Sequence, residues 1–403
     1  MYLRMNNVLY TLSGMLLFLS ILLPTTLSIV KIVLLLLLLF SCMFACKNAY
    51  SLSRHMVLLI LFYSAIGILW VLYGAIRGNP GYLSMSTVLI FYPIIFGILS
   101  GLYKERLNEE LYKLFIYSAW FLSVITLLII IDFIWLHFGL FDIATGLYDL
   151  DSVVVDNSSG YFKFTIPNIS SLIFLIPFLI SAIFFRKPPK THYILLLLLC
   201  VLAILSGRRA LMLTMFLAPV LAVVITSDRL SNNKIFCRFL LVFVLIGMAI
   251  YLFYIAYPDY FIDRVTNILN FDSNTSNLER KYQFDALMAG FYEHPLFGNG
   301  AGAAASYLRS DSQPWAYELS YIAFLFQFGL VGFFIYLMGI LFIIYTLIRR
   351  VKFVGRNSME FCFLSGFISF MIANATNPYL LKFDYMWLIF IPLGIANSIL
   401  VKK

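Results

Sequence analysis

Apolar runs of bilayer length recur along almost the whole chain, separated by short polar breaks. A bilayer core takes about 20 apolar residues per helix. By that measure twelve spans are expected, at 8–24, 28–46, 56–76, 84–101, 114–138, 166–185, 193–207, 210–226, 239–257, 331–348, 358–376 and 384–400. A further apolar stretch, 316–328, is too short to cross and reads as a re-entrant or interface-lying helix that breaks at Gly329. The pattern predicts an all-α polytopic membrane protein of about 12 transmembrane helices. It divides into a membrane domain with the first nine helices (1–257), a large loop carrying short helices (258–329) and a membrane domain with the last three (330–403). No repeat of 20–50 residues and no inverted repeat stands out, as it would in many transporters.

Composition agrees. Hydrophobic residues make up 62% and charged residues 12% of the 403, where a soluble domain carries about 25% charged residues. The first run, from Val8, has no small-residue cleavage site and is expected to be a retained helix. The five cysteines lie in or beside apolar spans, so their placement implies neither a disulfide framework nor a metal cluster. The net charge of +9 follows from topology. With the amino terminus in the cytoplasm and one crossing per span, 18 of the 28 Lys and Arg residues fall on the inner side, and both termini are cytoplasmic. The segment 316–328 cannot be a full crossing, because the Arg349-Arg350 pair would then land outside. Two outer loops are long, 139–165 and 258–315, and loops of that length are usually functional or disordered.

Several polar groups stand out on this frame. Ser206-Gly207-Arg208-Arg209 puts two arginines at the outer face, against the positive-inside bias. They read either as snorkelling side chains on lipid phosphate or as an anion clamp, since a guanidinium fork matches phosphate oxygens. Ser276 and Glu279 have capping-box spacing, which puts Arg280 in the first turn of a helix whose apolar face would hold Leu278, Tyr282 and Phe291. An arginine there crowds the positive end of the helix dipole unless an anion is present, although Glu279 offsets part of that repulsion. His294-Pro295 ends this helix, and the histidine reads as structural. Gly298-Asn299-Gly300-Ala301-Gly302 lacks the spacing, preceding strand and following Lys-Ser/Thr of a nucleotide loop, so it reads as a turn that lets the backbone fold over something. Glu318 sits among Trp315, Tyr317 and Tyr321, where it either caps the short helix or serves as a general base. The aromatics beside it read as sugar-stacking rings or as an interface belt. Asp132, His137, Asn374, Asn377 and Asp384 lie near the outer ends of spans and are candidates for lining a cavity.

These features together resemble the O-antigen polymerase and O-antigen ligase superfamily of bacterial envelope enzymes. The resemblance is carried by the topology, by the Arg-containing turn Ser206–Leu211, and by a second run. That run goes from Arg280 through His294-Pro295-Leu296-Phe297-Gly298-Asn299-Gly300 to Phe328-Gly329-Leu330-Val331-Gly332. It implies a metal-independent glycosyltransferase with no cofactor, acting at the periplasmic face of the bacterial inner membrane on undecaprenyl-diphosphate-linked oligosaccharides. The implied partners are those lipids, the membrane and a chain-length regulator; no nucleic acid is involved. By resemblance, Arg209 with its neighbour Arg208, and Arg280, hold the donor diphosphate. Glu318 joins Arg280 and Arg209 as a catalytic candidate, and Tyr317, Tyr321 and His294 join the arginines as candidates for substrate binding. Ligases of the family carry a His-Asn pair eleven residues before the Gly-Leu-hydrophobic-Gly stretch. Here that register holds Glu318-Leu319, which resembles the polymerase branch (Wzy-type) more closely. The alternatives are an O-antigen ligase acting on lipid A-core, and a lipid-linked oligosaccharide flippase or other transporter. A transporter is expected to hold charge at mid-membrane and broken helices in paired repeats.

Overall fold

The computed structural model describes residues 2–45, 49–147, 154–156, 163–186, 189–208 and 275–401, with scattered residues between 211 and 258. The chain is helical. In order come α1 (Tyr2–Leu22), α2 (Ser28–Met43), α3 (Arg54–Ile76), α4 (Tyr82–Leu102), α5 (Glu105–Leu136) and the short α6 (Leu140–Leu147). Next are α7 (Pro167–Phe185), α8 (Thr191–Leu205), α9 (Thr275–Glu293), α10 (Ser320–Val354), α11 (Met359–Ala373) and α12 (Trp387–Val401). Seven of the described segments are long and apolar enough to cross a membrane, and three shorter apolar helices accompany them. They coincide with ten of the twelve expected spans; the expected spans 210–226 and 239–257 lie largely outside the described residues. Loop 139–165 adds one detail to the all-α pattern, a hairpin pairing β1 (Val154–Asp156) antiparallel to β2 (Lys163–Thr165).

Burial follows the character of each helix. α7 is apolar on every side, with its proline inside, and is almost wholly buried, as a helix without a polar face should be. It packs on α11, where Gly366 lets the helix approach so closely that a Cβ there would lie 2.6 Å from the Phe174 ring. α2 is the opposite case. Ile29, Ile32, Leu36, Phe40 and Met43 form one exposed stripe at helical spacing, facing where lipid would be, while Lys31, Leu35, Leu38 and Cys42 face inward.

The polar connections sort into two sets, as the charge pattern predicts. One set joins Arg106 to Tyr10, Lys104 to Ser51, Arg186 to Glu109, and Arg350 to both Glu105 and Glu360. Every basic residue in it is one assigned to the inner side. The other set joins Lys31 to Asp384, Arg77 to His294, Arg208 to Ile166, and Arg280 and Arg309 to Glu318. Its arginines are ones assigned to the outside, and Lys31 lies at the outer end of the expected span 28–46.

Candidate functional site

The Gly-rich loop and the break in α10 make one another. At Gly329 the backbone turns out of the helix (φ 63°, ψ −172°). The break leaves the carbonyls of Phe326 and Gln327 without their helical partners, and the N–H groups of Leu330 and Val331 likewise. The loop satisfies all four. Asn299 N donates to Phe326 O (2.9 Å) and Gly300 N to Gln327 O (2.9 Å), while Leu330 N donates to Pro295 O (2.8 Å) and Val331 N to Leu296 O (3.1 Å). Contact is so close that a Cβ on Gly298 would lie 2.5 Å from Gly329 N, and a Cβ on Gly329 would lie 2.3 Å from Leu296 O. The loop also reaches down beside α3. Ala301 N donates to Trp70 O (3.1 Å), six residues short of the helix end, or about 9 Å at 1.5 Å per residue. The expected fold-over of the glycine turn and the expected break at Gly329 are therefore a single joint. The short helix ahead of the break starts at Ser320, later than the apolar run suggested; ahead of it the Glu318 N–H is taken by Gln283 of α9 and the Trp315 carbonyl by Gln327 of α10.

Glu318 lies just ahead of that helix, and its side chain does not cap it. Its carboxylate is held between two guanidiniums, Arg280 Nε on Oε2 (2.8 Å) and Arg309 Nη2 on Oε1 (2.9 Å). Its N–H donates to Gln283 Oε1 (3.0 Å). Arg280, Gln283, Leu287 and Phe291 follow one another at three- and four-residue steps, so one stripe of α9 delivers Arg280 to the carboxylate and buries the rest. This stripe replaces the expected one, since Tyr282 is exposed. The helix is described from Thr275, so Ser276 lies within it and not at the cap ahead of it.

The facing wall comes from the segment between α11 and α12. Arg208 donates to Ile166 O (3.4 Å) and lies close enough to the Tyr379 hydroxyl to act on it electrostatically. Burial pushes the Tyr379 phenol above the ordinary tyrosine range; Arg208 pulls it down and Glu318 pushes it up. Lys382 is exposed. Its ammonium is held below the ordinary lysine range by partial desolvation and then by Arg208 and Arg309, with Asp384 opposing. Asp384 is itself committed to the buried Lys31 and to Thr25 N–H (2.8 Å). Among the described residues, Glu318 thus pairs with Arg280 and Arg309, while Arg208 and Lys382 lie nearby and act electrostatically on the same neighbourhood. Such an excess of fixed positive charge in a partly desolvated recess is an arrangement for an anion, with planar forks suited to phosphate oxygens.

Residues 194–337 match the family model for O-antigen ligase. The match runs from α8 into α10 and contains Arg208, Arg280, Arg309, Glu318 and the whole glycine joint, while Tyr379, Lys382 and Asp384 lie beyond it. It is consistent with a member of the O-antigen ligase/polymerase superfamily, and it supports a polymerase or ligase in the assembly of O-antigen or a related glycan. No curated protein matches the chain.

The remaining candidates fall in several places. Arg209 lies outside the described residues. His294 stands apart from the recess, its Nε2 2.8 Å from Arg77 Nη2. Tyr317 is buried, edge-on to Phe326, and its hydroxyl accepts the Ala305 N–H (2.5 Å), so its ring faces protein. Tyr321 donates to Met371 O (2.5 Å) and lines an apolar cavity beside the recess. Asn374 lines the same cavity and accepts the Leu380 N–H (3.1 Å). Asp132 ties off its own helix, accepting the N–H groups of Phe138 (2.7 Å) and Phe141 (3.1 Å). Arg309 and Lys382 were not singled out from the sequence. The usable signal was that both are basic residues assigned to the outer side.

Proposed function

We propose that the protein is an O-antigen polymerase that joins undecaprenyl-diphosphate-linked repeat units at the periplasmic face of the inner membrane. The observation that carries this reading is the pairing of Glu318 with Arg280 and Arg309, with Arg208 and Lys382 nearby and an apolar cavity alongside. The donor is the growing chain on the lipid diphosphate, and the acceptor is a lipid-linked repeat. The acceptor's hydroxyl oxygen bonds to the donor's anomeric carbon. The bond from that carbon to the diphosphate breaks, and the lipid diphosphate leaves with the electron pair. Arg280, with Arg208 and Arg209, stabilises the charge that develops on the leaving group. The hydroxyl proton passes to Glu318. Its two oxygens have about four lone-pair positions, and the arginines occupy two. Glu318 in the register where ligases of the family carry histidine favours polymerase. The family model's description favours ligase as the second reading.

A lipopolysaccharide gel from cells lacking the protein, with and without a plasmid copy, separates the readings. Core plus one repeat, with the ladder restored by the plasmid, supports the polymerase. Loss of every O-antigen-bearing band, with long chains still built on the lipid carrier, means ligase. Loss of both bands and periplasmic polymer means flippase. In the complementing plasmid, Arg280→Ala is expected to reduce chain extension by about 10²–10³-fold with normal membrane insertion. Arg280→Lys is expected to recover little, because the fork is lost; a normal ladder in either variant overturns the role of Arg280.

A further inference from the structure

Away from the Glu318 recess, toward the helix ends that the charge pattern assigns inward, a second cavity of about 250 Å³ opens between α1, α2, α4, α5 and α12. Its lining runs from Tyr10 to Leu17 on α1 and from Leu107 to Leu114 on α5, or about 10 Å along each helix at 1.5 Å per residue. Leucines make most of the wall. Gly14 is part of it, and a Cβ built there meets nothing within 4 Å. Close helix packing therefore does not call for glycine here, a residue disfavoured inside a helix; what it leaves is open space in the cavity. The entrance carries both signs of charge. Glu110, exposed, lines it from α5, and among the described residues no lysine or arginine forms an ion pair with it. Tyr10 lines it from α1, and Arg106 lies over that ring, its Nη2 donating to the hydroxyl (2.9 Å) and its guanidinium carbon 5.7 Å from the centroid. Because the hydroxyl accepts from Arg106, its own proton stays available to another acceptor.

We propose that this cavity is a binding site for an aminophospholipid of the cytoplasmic leaflet, with one acyl chain along Gly14, the phosphate on Arg106 and the Tyr10 hydroxyl, and the primary ammonium on Glu110. The cavity is smaller than the roughly 300–1,000 Å³ of a pocket that encloses a whole small molecule, so it takes a length of hydrocarbon and leaves the headgroup at the entrance. A cation and an acid at one entrance match a zwitterion. The guanidinium fork suits phosphate oxygens, and a carboxylate accepts N–H donors with charge assistance. A headgroup with no cation offers Glu110 no such donor, and a quaternary ammonium has no N–H to give. A chain seated here touches α1, α4, α5 and α12 together.

The test is binding of phosphatidylethanolamine, phosphatidylglycerol and phosphatidylcholine to the purified, delipidated full chain in detergent, read by native mass spectrometry. Wild type is expected to hold phosphatidylethanolamine most tightly. Glu110→Gln should bring it level with phosphatidylcholine, a change of about 2–5-fold, as for an exposed ion pair. Arg106→Gln should weaken all three lipids by a similar factor. Gly14→Leu fills the cavity and should cut binding of all three by at least about tenfold. Its thermal transition without added lipid should not fall, since leucine is the better helix former. Arg106 and Glu110 are exposed, so their variants keep the fold and test the headgroup whatever becomes of Gly14→Leu. Equal binding of the three lipids by wild type would overturn the aminophospholipid assignment, and an unchanged preference in Glu110→Gln would remove Glu110 from it. Gly14→Leu binding like wild type would show that the chain does not enter the cavity.

Discussion

Glu318 is shared by Arg280 and Arg309, which reach it from a helix and from a loop. Two guanidiniums that would repel each other are held together by one carboxylate, 16% exposed. The same carboxylate keeps lone pairs for a hydroxyl, so holding the arginines and accepting a proton are compatible tasks. Glu318→Gln keeps the shape but puts an amide N–H₂ against one arginine. The expected result is a loss of chain extension of at least about tenfold, and an Arg280→Ala change that costs less in the Glu318→Gln background than in wild type, because the two residues share one interaction. Measured polymerisation in the four combinations checks this. Additive losses would mean that Glu318 and Arg280 act separately.

The element that matters most is the joint between the glycine loop and the break in α10. Its four backbone hydrogen bonds explain why glycines occur both in the loop and at position 329, and why neither segment makes sense alone. Gly329→Ala would place a methyl group 2.3 Å from Leu296 O at φ 63°. A destabilisation of at least about 2 kcal/mol is expected, from left-handed strain plus the clash, with loss of activity. Gly78 has a similar φ, 71°, but open space around its Cβ position. Gly78→Ala should cost only about 1–2 kcal/mol and leave the product ladder intact. Thermal unfolding of both variants in detergent decides it. Equal behaviour would mean that the joint does not hold the loop.

Across the whole molecule, the start of α2 is braced to the segment ahead of α12 by a buried charge pair, Lys31 with Asp384. Lys31 is 1% exposed. A buried pair is poor at adding stability but expensive to break from one side. Lys31→Met is therefore expected to destabilise by about 3–5 kcal/mol. Lys31→Met with Asp384→Asn should recover most of that loss, since asparagine still accepts the Thr25 N–H and no charge is stranded. Unfolding transitions of the single and double variants test it; a double variant as unstable as the single would show that the pair supplies net stability.

The sequence alone determined what the bilayer and local chemistry dictate. Span length and apolarity located the helices, because a backbone in lipid has little choice but to bond to itself. The bias of Lys and Arg sorted the connections, and the structure joins the same residues at each set of helix ends. Gly329 marked its own break, and Arg208, Arg280 and Glu318 were visible as polar groups on the wrong side or at a helix edge. Tertiary structure decided which of these meet. Arg309 lies in a loop without periodicity, and Lys382 lies more than 60 residues past Glu318; nothing local ties either to the recess. Tyr317 and Asp132 looked chemical in the sequence and are taken up by backbone N–H groups. A side chain's partners are set by packing between distant segments, and it is packing that brought Arg280 and Arg309 onto one carboxylate.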